Sequence, residues 1–396
     1  MSLTNTPNAN RLHIALFGRR NSGKSSLVNA LTGQDTALVS DTPGTTTDLV
    51  SKAMEMQGIG PCLFIDTPGF DDEGELGELR VSRTLKAIEK TDIALLLCGD
   101  TTFSHEKEML ALLKEKNIPV IPVLNKIDIR ENSDHLATYI EEQCKIHPLL
   151  ISAKEKIGIE LIRQAILEKL PSDFGQQSIT GKLVAENDLV LLVMPQDIQA
   201  PKGRLILPQV QTIRELLDKK CLVMNCTTDK FSATLQALAR PPKLIITDSQ
   251  VFKAIYEQKP KESELTSFSV LFAGYKGDIH YYVESAAVIE RLTESSRVLI
   301  AEACTHAPLS EDIGRVKLPR LLRKRIGENL QIDMVAGTDF PQDLTPYSLV
   351  IHCGACMFNR KYVLSRIERA REQHIPMTNY GVAIAFLNGI LDQIKY

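Results

Sequence analysis

The stretch GRRNSGKSS, residues 18–26, decides the fold of the first part of this chain. It matches the pattern G-x-x-x-x-G-K-[ST] and lies between the apolar run LHIALFG and a helical segment. The pattern predicts a phosphate loop in which backbone N–H groups surround the β-phosphate and Lys24 contributes charge to the β- and γ-phosphate oxygens. Ser25 is the expected Mg²⁺ ligand. The predicted nucleotide-binding residues here are Gly18, Asn21, Ser22, Gly23, Lys24, Ser25 and Ser26.

Two segments after this loop have the chemistry of nucleotide-sensing switches. DTPGTTTD, residues 41–48, offers hydroxyl groups, and we expect Thr46 to bind Mg²⁺ and the γ-phosphate. DTPG, residues 66–69, ends an apolar strand. Asp66 is expected to reach the metal through water, and the N–H group of Gly69 to sense the γ-phosphate. Lys24, Thr46, Asp66 and Gly69 are therefore the predicted catalytic residues.

Two more segments indicate which base is bound. In NKID, residues 125–128, the carboxylate of Asp128 can accept both N1–H and N2–H₂ of guanine, a donor pair that adenine lacks. SAK, residues 152–154, can donate backbone N–H groups to O6. The predicted base-binding residues are Asn125, Lys126, Asp128, Ser152, Ala153 and Lys154. Any one segment could be an ordinary turn, but all five in this order predict a GTPase that binds GTP, GDP and Mg²⁺.

Short apolar runs alternate with amphipathic helical stretches along the chain. This alternation predicts an α/β protein whose mostly parallel sheets are covered on both faces. Polar stretches at 170–182 and 257–267 interrupt the alternation. We therefore expect three consecutive α/β units, at residues 1–171, 172–264 and 265–396, the first a doubly wound P-loop GTPase sheet.

Composition limits the other possibilities. The chain is 43% hydrophobic and 24% charged with a net charge of −3, which does not favour nucleic acid as a partner. No apolar run reaches the roughly 18 residues of a membrane span. The first residues lack the pattern of a secretory signal, so a cytoplasmic protein without membrane contact is expected. In a reducing compartment, clustered cysteines favour metal binding or redox chemistry over disulfides.

Ligand-type side chains cluster in two segments far from the phosphate loop. They are Cys304 and His306 in IAEACTHAP, and His352, Cys353 and Cys356 in VIHCGACMF. Both segments follow strand-like runs, so the side chains would converge if the two strands are neighbours. Gly354 is expected to allow the tight turn between the two thiols.

Three kinds of chemistry suit these residues. A structural zinc ion prefers four ligands, such as three cysteines and one histidine. An iron–sulfur cluster would use the three thiolates and leave its fourth position to a weaker ligand. A thiol redox pair would use Cys353 and Cys356 alone, although that motif normally opens a helix near an N-terminal strand.

The motifs within residues 11–170 resemble the translation-factor-related GTPases, and within them the branch of tRNA-modifying and ribosome-assembly GTPases. That resemblance implies a potassium ion beside the phosphates, held by Asn21. Phe70 stands where Ras-like switches carry a glutamine that orients water, and it cannot perform that role. Potassium is therefore expected to offset charge that an arginine would otherwise neutralise.

The whole chain resembles the HydF-type GTPases that mature [FeFe]-hydrogenases. The pattern is a GTPase followed by C-x-H, 45 residues, and H-C-x-x-C. The resemblance implies a dimerisation domain at 172–264, a cluster domain at 265–396, and a [4Fe–4S] cluster on Cys304, Cys353 and Cys356. It also implies a homodimer or higher oligomer that works with two radical-SAM maturases and delivers a diiron precursor to apo-[FeFe]-hydrogenase. The fourth cluster ligand, with His306 and His352 as candidates, stays open.

Two alternatives share the GTPase part. One is an RNA-modification or ribosome-assembly GTPase with a zinc-stabilised C-terminal domain, and the other is a redox-sensing switch. The basic stretch GRVKLPRLLRKR, with its charges at residues 315–325, is either a solvated helix face or a docking surface for an acidic partner.

Overall fold

The computed structural model describes residues 6–33, 50–69, 83–99, 103–171, 174–175, 177–195, 205–303 and 313–396. The chain forms two compact units, residues 1–176 and 177–396. Within the described ranges, no helix has the length and apolar character needed to cross a membrane.

The first unit contains a six-stranded sheet with the order β2-β3-β1-β4-β5-β6. Its strands are β1 Leu12–Gly18, β2 Val50–Met56, β3 Gly60–Asp66, β4 Ile93–Cys98, β5 Val120–Leu124 and β6 Leu149–Leu150. The helices around it include α1 Lys24–Thr32, α2 Ser104–Glu115, α3 Ser133–Cys144 and α4 Ile159–Glu168. Only β2 pairs antiparallel to its neighbour among the strands of this sheet.

The sheet of the first unit is apolar on both faces. Every residue of β1 and β4 is buried, and successive side chains of β1 enter two different cores. Fully apolar strands of this kind are stable only when helices cover both faces of the sheet. The predicted doubly wound GTPase sheet is therefore confirmed.

The second unit contains two four-stranded parallel sheets. The first has the order β10-β9-β7-β8 and comprises β7 Leu189–Val193, β8 Leu222–Cys226, β9 Leu244–Thr247 and β10 Glu264–Ser267. The second has the order β12-β11-β13-β14 and comprises β11 Arg297–Glu302, β12 Gln331–Ala336, β13 Leu349–His352 and β14 Met377–Asn379. The predicted series of three α/β units is thus confirmed as three sheets.

Eight α-helices accompany the two sheets within the described part of this unit. They are α5 Leu207–Asp218, α6 Phe231–Ala237, α7 Phe252–Gln258, α8 Phe268–Lys276, α9 Ile279–Ala286, α10 Leu318–Ile326, α11 Arg360–Glu372 and α12 Tyr380–Leu387. One apolar core contains residues of both sheets, for example Ile245 of β9 and Val350 of β13. The two sheets therefore fold as parts of one compact unit.

Helix α8 and strand β10 depart from the sequence pattern. The apolar run FSVLFAG looks like a buried strand but forms α8, because the Ser267 side chain accepts a hydrogen bond from the N–H group of Val270 and caps a helix start. The polar stretch 257–267 was expected to separate two units, yet its last four residues form β10 of the middle sheet.

The third sheet places the two strands that precede the cysteine segments side by side. Strand β11 pairs directly with β13, with Ala301 opposite His352. The chain places β12 on one side of β11 and β13 on the other, so the carboxyl ends of β11 and β13 flank a topological switch point. Switch points of open α/β sheets are where such folds bind their ligands.

Candidate functional site

The phosphate loop has glycine at the two places where a side chain cannot fit. Gly23 has φ +93°, and a Cβ atom there would lie 2.3 Å from Nδ2 of Asn125. A Cβ atom on Gly18 would lie 2.8 Å from Oγ of Ser22 and 2.9 Å from the carbonyl oxygen of Leu97. Only glycine lets the loop close this tightly after β1.

The loop lysine is held inside the loop. Lys24 is buried, and its Nζ donates to the carbonyl oxygens of Gly18 and Arg19, each at 2.8 Å. The Arg19 side chain forms an ion pair with Glu106 of α2, whose side chain is fully buried. This arrangement keeps the ammonium group where phosphate oxygens can take the place of the carbonyls.

Ser25 and Asp66 meet at the predicted magnesium position. Oγ of Ser25 donates to Oδ2 of Asp66 at 2.6 Å, while Oδ1 of Asp66 is buried without a hydrogen-bond partner among the described residues. Burial raises the pKa of Asp66, against the opposing effects of the Ser25 hydrogen bond and the Lys24 charge. A buried carboxylate oxygen without a donor suits water bound to Mg²⁺, so these residues fit the metal.

Asn125 connects three of the sequence motifs. Its Nδ2 donates to the carbonyl oxygen of Ser22 at 3.1 Å, which joins the phosphate loop to NKID. Its Oδ1 accepts from the N–H groups of Lys126 at 2.8 Å and Ala153 at 3.0 Å, which adds SAK to the same network. A single buried amide thus fixes the relative positions of the phosphate and base segments.

Asp128 and Asn21 lie at the surface of this site. A hydrogen bond with Ser152 is the main reason that the pKa of the exposed Asp128 is lowered, so the carboxylate is ionised and available as an acceptor. Asn21 is exposed and has φ +58°, in the left-handed region. Lys154 is also exposed. These exposed positions suit contacts to a bound nucleotide or its ions.

Part of the switch region lies outside the described residues, namely Thr46 with the rest of DTPGTTTD, and Phe70. The beginning of DTPG is well defined, because Oγ1 of the buried Thr67 donates to the carbonyl oxygen of Leu16 at 2.6 Å. Gly69 follows it, half-buried. The proposed roles of Thr46 and Gly69 stay predictions.

The cysteine loop, residues 353–359, follows β13 at the switch point of the third sheet. Cys353 and Cys356 are both half-buried. Sγ of Cys353 accepts from the N–H group of Ala303 at 3.0 Å and from that of Ala355 at 3.4 Å. Ala303 immediately precedes Cys304 in the sequence, so the described part of the chain comes within hydrogen-bond distance of the Cys353 thiol one residue before Cys304.

Cys304 and His306 themselves belong to residues 304–312, outside the described part of the chain. Among the described residues, no three histidine, cysteine or acidic side chains are grouped to hold a metal ion. The three-cysteine ligand set therefore stays a prediction.

The turn between the thiols differs from the expectation. We expected Gly354 to supply the conformational freedom, but the left-handed residue is Ala355, with φ +47°. A Cβ atom on Gly354 would meet no atom of the described chain within 4 Å. The loop thus holds a non-glycine residue in a conformation that typically costs about 1 kcal/mol. Contacts from residues outside the loop keep Ala355 in this conformation.

His352, the last residue of β13, contacts the first residue of this loop. It is fully buried, with Nδ1 2.6 Å from the carbonyl oxygen of Cys353 and Nε2 2.8 Å from Nη1 of Arg366. Burial, with the Arg366 charge, lowers the pKa of His352 to about 3. The neutral ring donates from Nδ1 and accepts at Nε2, so both nitrogens are engaged within the protein and neither is offered to a metal.

Two buried cations near the loop carried no motif in the sequence. Arg366 of α11 lies between the rings of Phe340 and Tyr362 and donates to the carbonyl oxygen of Gly337 at 2.6 Å. Lys276, the last residue of α8, contacts the cysteine loop itself. Nothing in the sequence distinguishes them from exposed charged residues. Their importance becomes visible only in the structure, because charged residues are almost never fully buried without partners.

The basic stretch lies largely on α10. Leu318 and Leu322 face the core, whereas Arg320, Lys324 and Arg325 are exposed. Arg315 forms an ion pair with Glu302 at 3.1 Å. This pattern is that of an amphipathic helix with a solvated charged face.

Comparison with known proteins matches this division of the chain. The model of the 50S ribosome-binding GTPase family matches residues 13–126, which makes the first unit a P-loop GTPase. The hydrogen maturase F dimerization domain matches residues 179–277, and the hydrogen maturase F tetramerization domain matches residues 280–395. These two regions together cover more than half of the chain. The chain belongs to the HydF-type GTPases.

Curated relatives cover the GTPase part. The tRNA modification GTPase MnmE of Nitrosomonas europaea is 38% identical over 160 residues, 40% of this chain and 34% of the relative. GTPase Der of Wolinella succinogenes is 34% identical over 192 residues, 44% of this chain and 40% of the relative. The chain thus spans well under half the length of these relatives.

Solved structures similar to the chain include a probable GTP-binding protein engB, with 26% identity over 40% of this chain and 97% of that one, and a TM-score of 0.32. Another is Aquifex aeolicus Era bound to GDP·AlF4⁻, with 19% identity over 57% of this chain and 98% of that one, and a TM-score of 0.35.

Proposed function

We propose that this chain is a GTP-hydrolysing scaffold in metallocluster assembly. It holds a [4Fe–4S] cluster on Cys304, Cys353 and Cys356 and delivers the diiron subcluster precursor to apo-[FeFe]-hydrogenase. The observation that supports the proposal most is the N–H group of Ala303, which donates to Sγ of Cys353 at the switch point of a hydrogen maturase F domain.

The donor set around the cysteine loop fits an iron–sulfur cluster. Thiolates are the ligands such clusters use, and N–H groups directed at the sulfur atoms are among the features that tune them. Two such N–H groups, of Ala303 and Ala355, point at Cys353. When bound through three thiolates, the cluster supplies one iron with an exchangeable fourth position for a ligand of the cargo.

The chain's own residues keep the site open to a partner. The half-buried thiols lie at the edge of the sheet, where another molecule can reach them. His352 has both nitrogens engaged, so it fixes the carbonyl of Cys353 and leaves the fourth position to a residue outside the described part or to an external ligand. A site that releases cargo is better served by such weak fourth ligation than by four strong protein ligands.

The nucleotide site supports slow GTP hydrolysis. Lys24 contributes charge to the phosphates, and Ser25 and Thr46 bind Mg²⁺, which Asp66 reaches through water. Asp128 recognises guanine. With Phe70 in place of a water-orienting side chain, we assign charge compensation to a potassium ion held by Asn21. GTP turnover and cluster delivery take place in different units. A substitution in one unit should therefore remove one activity and leave the other intact.

Assembly into a homodimer or higher oligomer uses the middle sheet. The runs LVLLVMP and CLVMNC are both strongly apolar, but β7 from the first is buried inside the protein. In β8, an edge strand, the side chains of Leu222 and Met224 are 51% and 39% exposed. An exposed apolar edge strand is a template for pairing with a second chain, so we assign the dimer contact to β8.

Delivery tests the proposal directly. The protein is incubated with the two radical-SAM maturases and their substrates, re-isolated, and mixed with apo-[FeFe]-hydrogenase, whose hydrogen evolution is then measured. We expect activation by the wild type and none by Cys353→Ala, with Cys144→Ala, a change of a buried cysteine at the end of α3 in the GTPase unit, as the control. Equal activation by wild type and Cys353→Ala would contradict the carrier role.

A further inference from the structure

Several backbone carbonyl oxygens of the cysteine loop point into the protein and not toward solvent. Three of them, from Ala355, Cys356 and Phe358, converge on one atom, Nζ of Lys276, at 3.0, 3.1 and 2.6 Å. An ammonium group has three N–H donors, so it can serve all three carbonyls at once. No neutral side chain of similar size offers three donors from one atom.

Lys276 is only 2% exposed, although lysine is among the residues least often buried. Burying an ammonium group is costly unless it is well compensated, so a sequence retains one only where its contacts matter. Apolar or polar uncharged residues of similar length would fill the same space without that cost. The burial of Lys276 therefore indicates that its contacts with the cysteine loop are important for the protein.

The contacts of Lys276 explain the strained residue in the loop. Ala355 has φ +47°, its carbonyl oxygen accepts from Lys276, and its N–H group is directed at Sγ of Cys353. The lysine thus fixes the backbone conformation that turns an N–H group toward one thiol and positions the other. Lys276 lies one residue before the end of the region matched by the dimerization domain, whereas the loop lies in the region matched by the tetramerization domain.

We propose that Lys276 is a positioning residue for the cluster. Its ammonium group holds the Cys353–Cys356 turn in the shape that directs both thiolates to one cluster, and its charge offsets the negative charge of thiolates and cluster. This inference rests on the proposed function, because it concerns the same site. It adds that a residue at the end of α8, in the region matched by the dimerization domain, controls the stability and reduction potential of the cluster.

The experiment compares wild type, Lys276→Met, Lys276→Arg and a control, all reconstituted anaerobically as full-length protein. The control is Lys259→Met, because Nζ of the half-buried Lys259 also donates to loop carbonyls, those of Pro260 at 3.3 Å and Ser263 at 2.7 Å, away from the cysteines. The readouts are iron release to a chelator and the cluster reduction potential from an EPR-monitored titration.

We expect Lys276→Met to release iron about 10- to 100-fold faster, the range typical of residues that support metal ligands. Its reduction potential should move to more negative values, since loss of a nearby positive charge disfavours the added electron. Lys276→Arg keeps the charge and should keep the potential near that of the wild type. Lys259→Met should match the wild type in both readouts.

Iron release and potential unchanged in Lys276→Met would overturn the proposal. If that variant does not fold, Lys276→Gln, which keeps two amide donors but loses the charge, replaces it, and an unshifted potential there overturns the proposal equally. A wild type that binds no iron–sulfur cluster would instead refute the proposed function itself, so the two failures are distinguishable.

Discussion

The nucleotide site and the cysteine loop are stabilised in opposite ways. In the nucleotide site the residue that organises the network, Asn125, is itself part of a binding motif, and its partners Ser22 and Ala153 belong to two other motifs. In the cysteine loop the organising residues, Lys276 and Arg366, belong to helices α8 and α11 and to no motif. The first site supports itself, whereas the second depends on its surroundings.

This difference has a consequence for mutation. A self-supporting site should fail only when one of its motif residues changes, and the failure should stay within its unit. A site supported from outside should respond to changes at residues that never touch the bound group. The following predictions test this contrast, beginning with loss of the cluster and ending with a substitution from which no effect on the cluster is expected.

Loss of a cysteine should have the largest effect. Cys304→Ala, Cys353→Ala and Cys356→Ala should each abolish the brown absorption of the cubane and the EPR signal of its reduced state, because two thiolates rarely hold a cubane firmly. GTP hydrolysis should continue in all three. His352→Gln, which can still accept from Arg366, and His306→Ala should keep most of the iron. A variant without Cys353 that keeps a full cluster would show that the loop is not the binding site.

Lys24→Ala should lower the GTP hydrolysis rate by at least about 10²- to 10³-fold, the usual cost of removing one charge-stabilising group at a reaction centre. The exposed Lys169→Ala serves as the control and should hydrolyse GTP normally. Iron content should be unchanged in both variants. Phosphate release and iron analysis on the same preparations check this, and loss of iron in Lys24→Ala would break the proposed independence of the two sites.

Asp128→Asn should weaken GTP binding by about 2–3 kcal/mol, because it removes a charged acceptor for two guanine donors. The asparagine amide can donate to the additional oxygen of xanthine, so xanthosine triphosphate should bind the variant better than GTP. Competition titrations with GTP, ATP and xanthosine triphosphate measure this directly. Equal binding of ATP and GTP by the wild type would refute the role given to NKID.

Replacing K⁺ with Na⁺ at constant ionic strength should lower the hydrolysis rate several-fold. Asn21→Ala should show the lower rate in both salts, since the ion would have lost its ligand. Steady-state phosphate release suffices for this measurement. A wild-type rate that does not depend on the cation would leave the potassium assignment without support.

One glycine in each site separates the two sites most clearly: Gly23 in the phosphate loop should be essential, whereas Gly354 in the cysteine loop should be replaceable. Gly23→Ala should prevent nucleotide binding, because the new Cβ would lie 2.3 Å from Nδ2 of Asn125 at φ +93°. Gly354→Ala should leave iron content and reduction potential unchanged, because its Cβ would point into open space among the described residues. Loss of the cluster in Gly354→Ala would show that segment 304–312 packs against this glycine.

The nucleotide-binding motifs can be recognised in the sequence because each is contiguous and carries its own chemistry. The structure joins Ser22, Asn125 and Ala153 of three motifs in one hydrogen-bond network, while the roles of the individual residues stay predictions. The three α/β units also followed from alternating apolar and amphipathic segments. FSVLFAG was ambiguous, since a short apolar run suits a buried strand or a buried helix, and the Ser267 cap decided in favour of the helix.

The support of the cysteine loop could not be predicted, because it depends on contacts between residues about 80 positions apart. Lys276 and Cys356 are brought together only by the packing of α8 against the third sheet's core. The expected role of Gly354 was wrong for the same reason, since external contacts hold Ala355 in the left-handed conformation instead. Local sequence indicates which residues bind, but it does not show what holds them.

The most direct test of the central claim is metal and sulfide analysis of the protein purified without oxygen, together with its absorption spectrum. A [4Fe–4S] cluster on three cysteines predicts about four iron and four sulfide per chain and a broad brown absorption that decreases on reduction. One zinc per chain with neither iron nor sulfide would contradict the claim. The chain would then be a GTPase whose C-terminal cysteines serve structure.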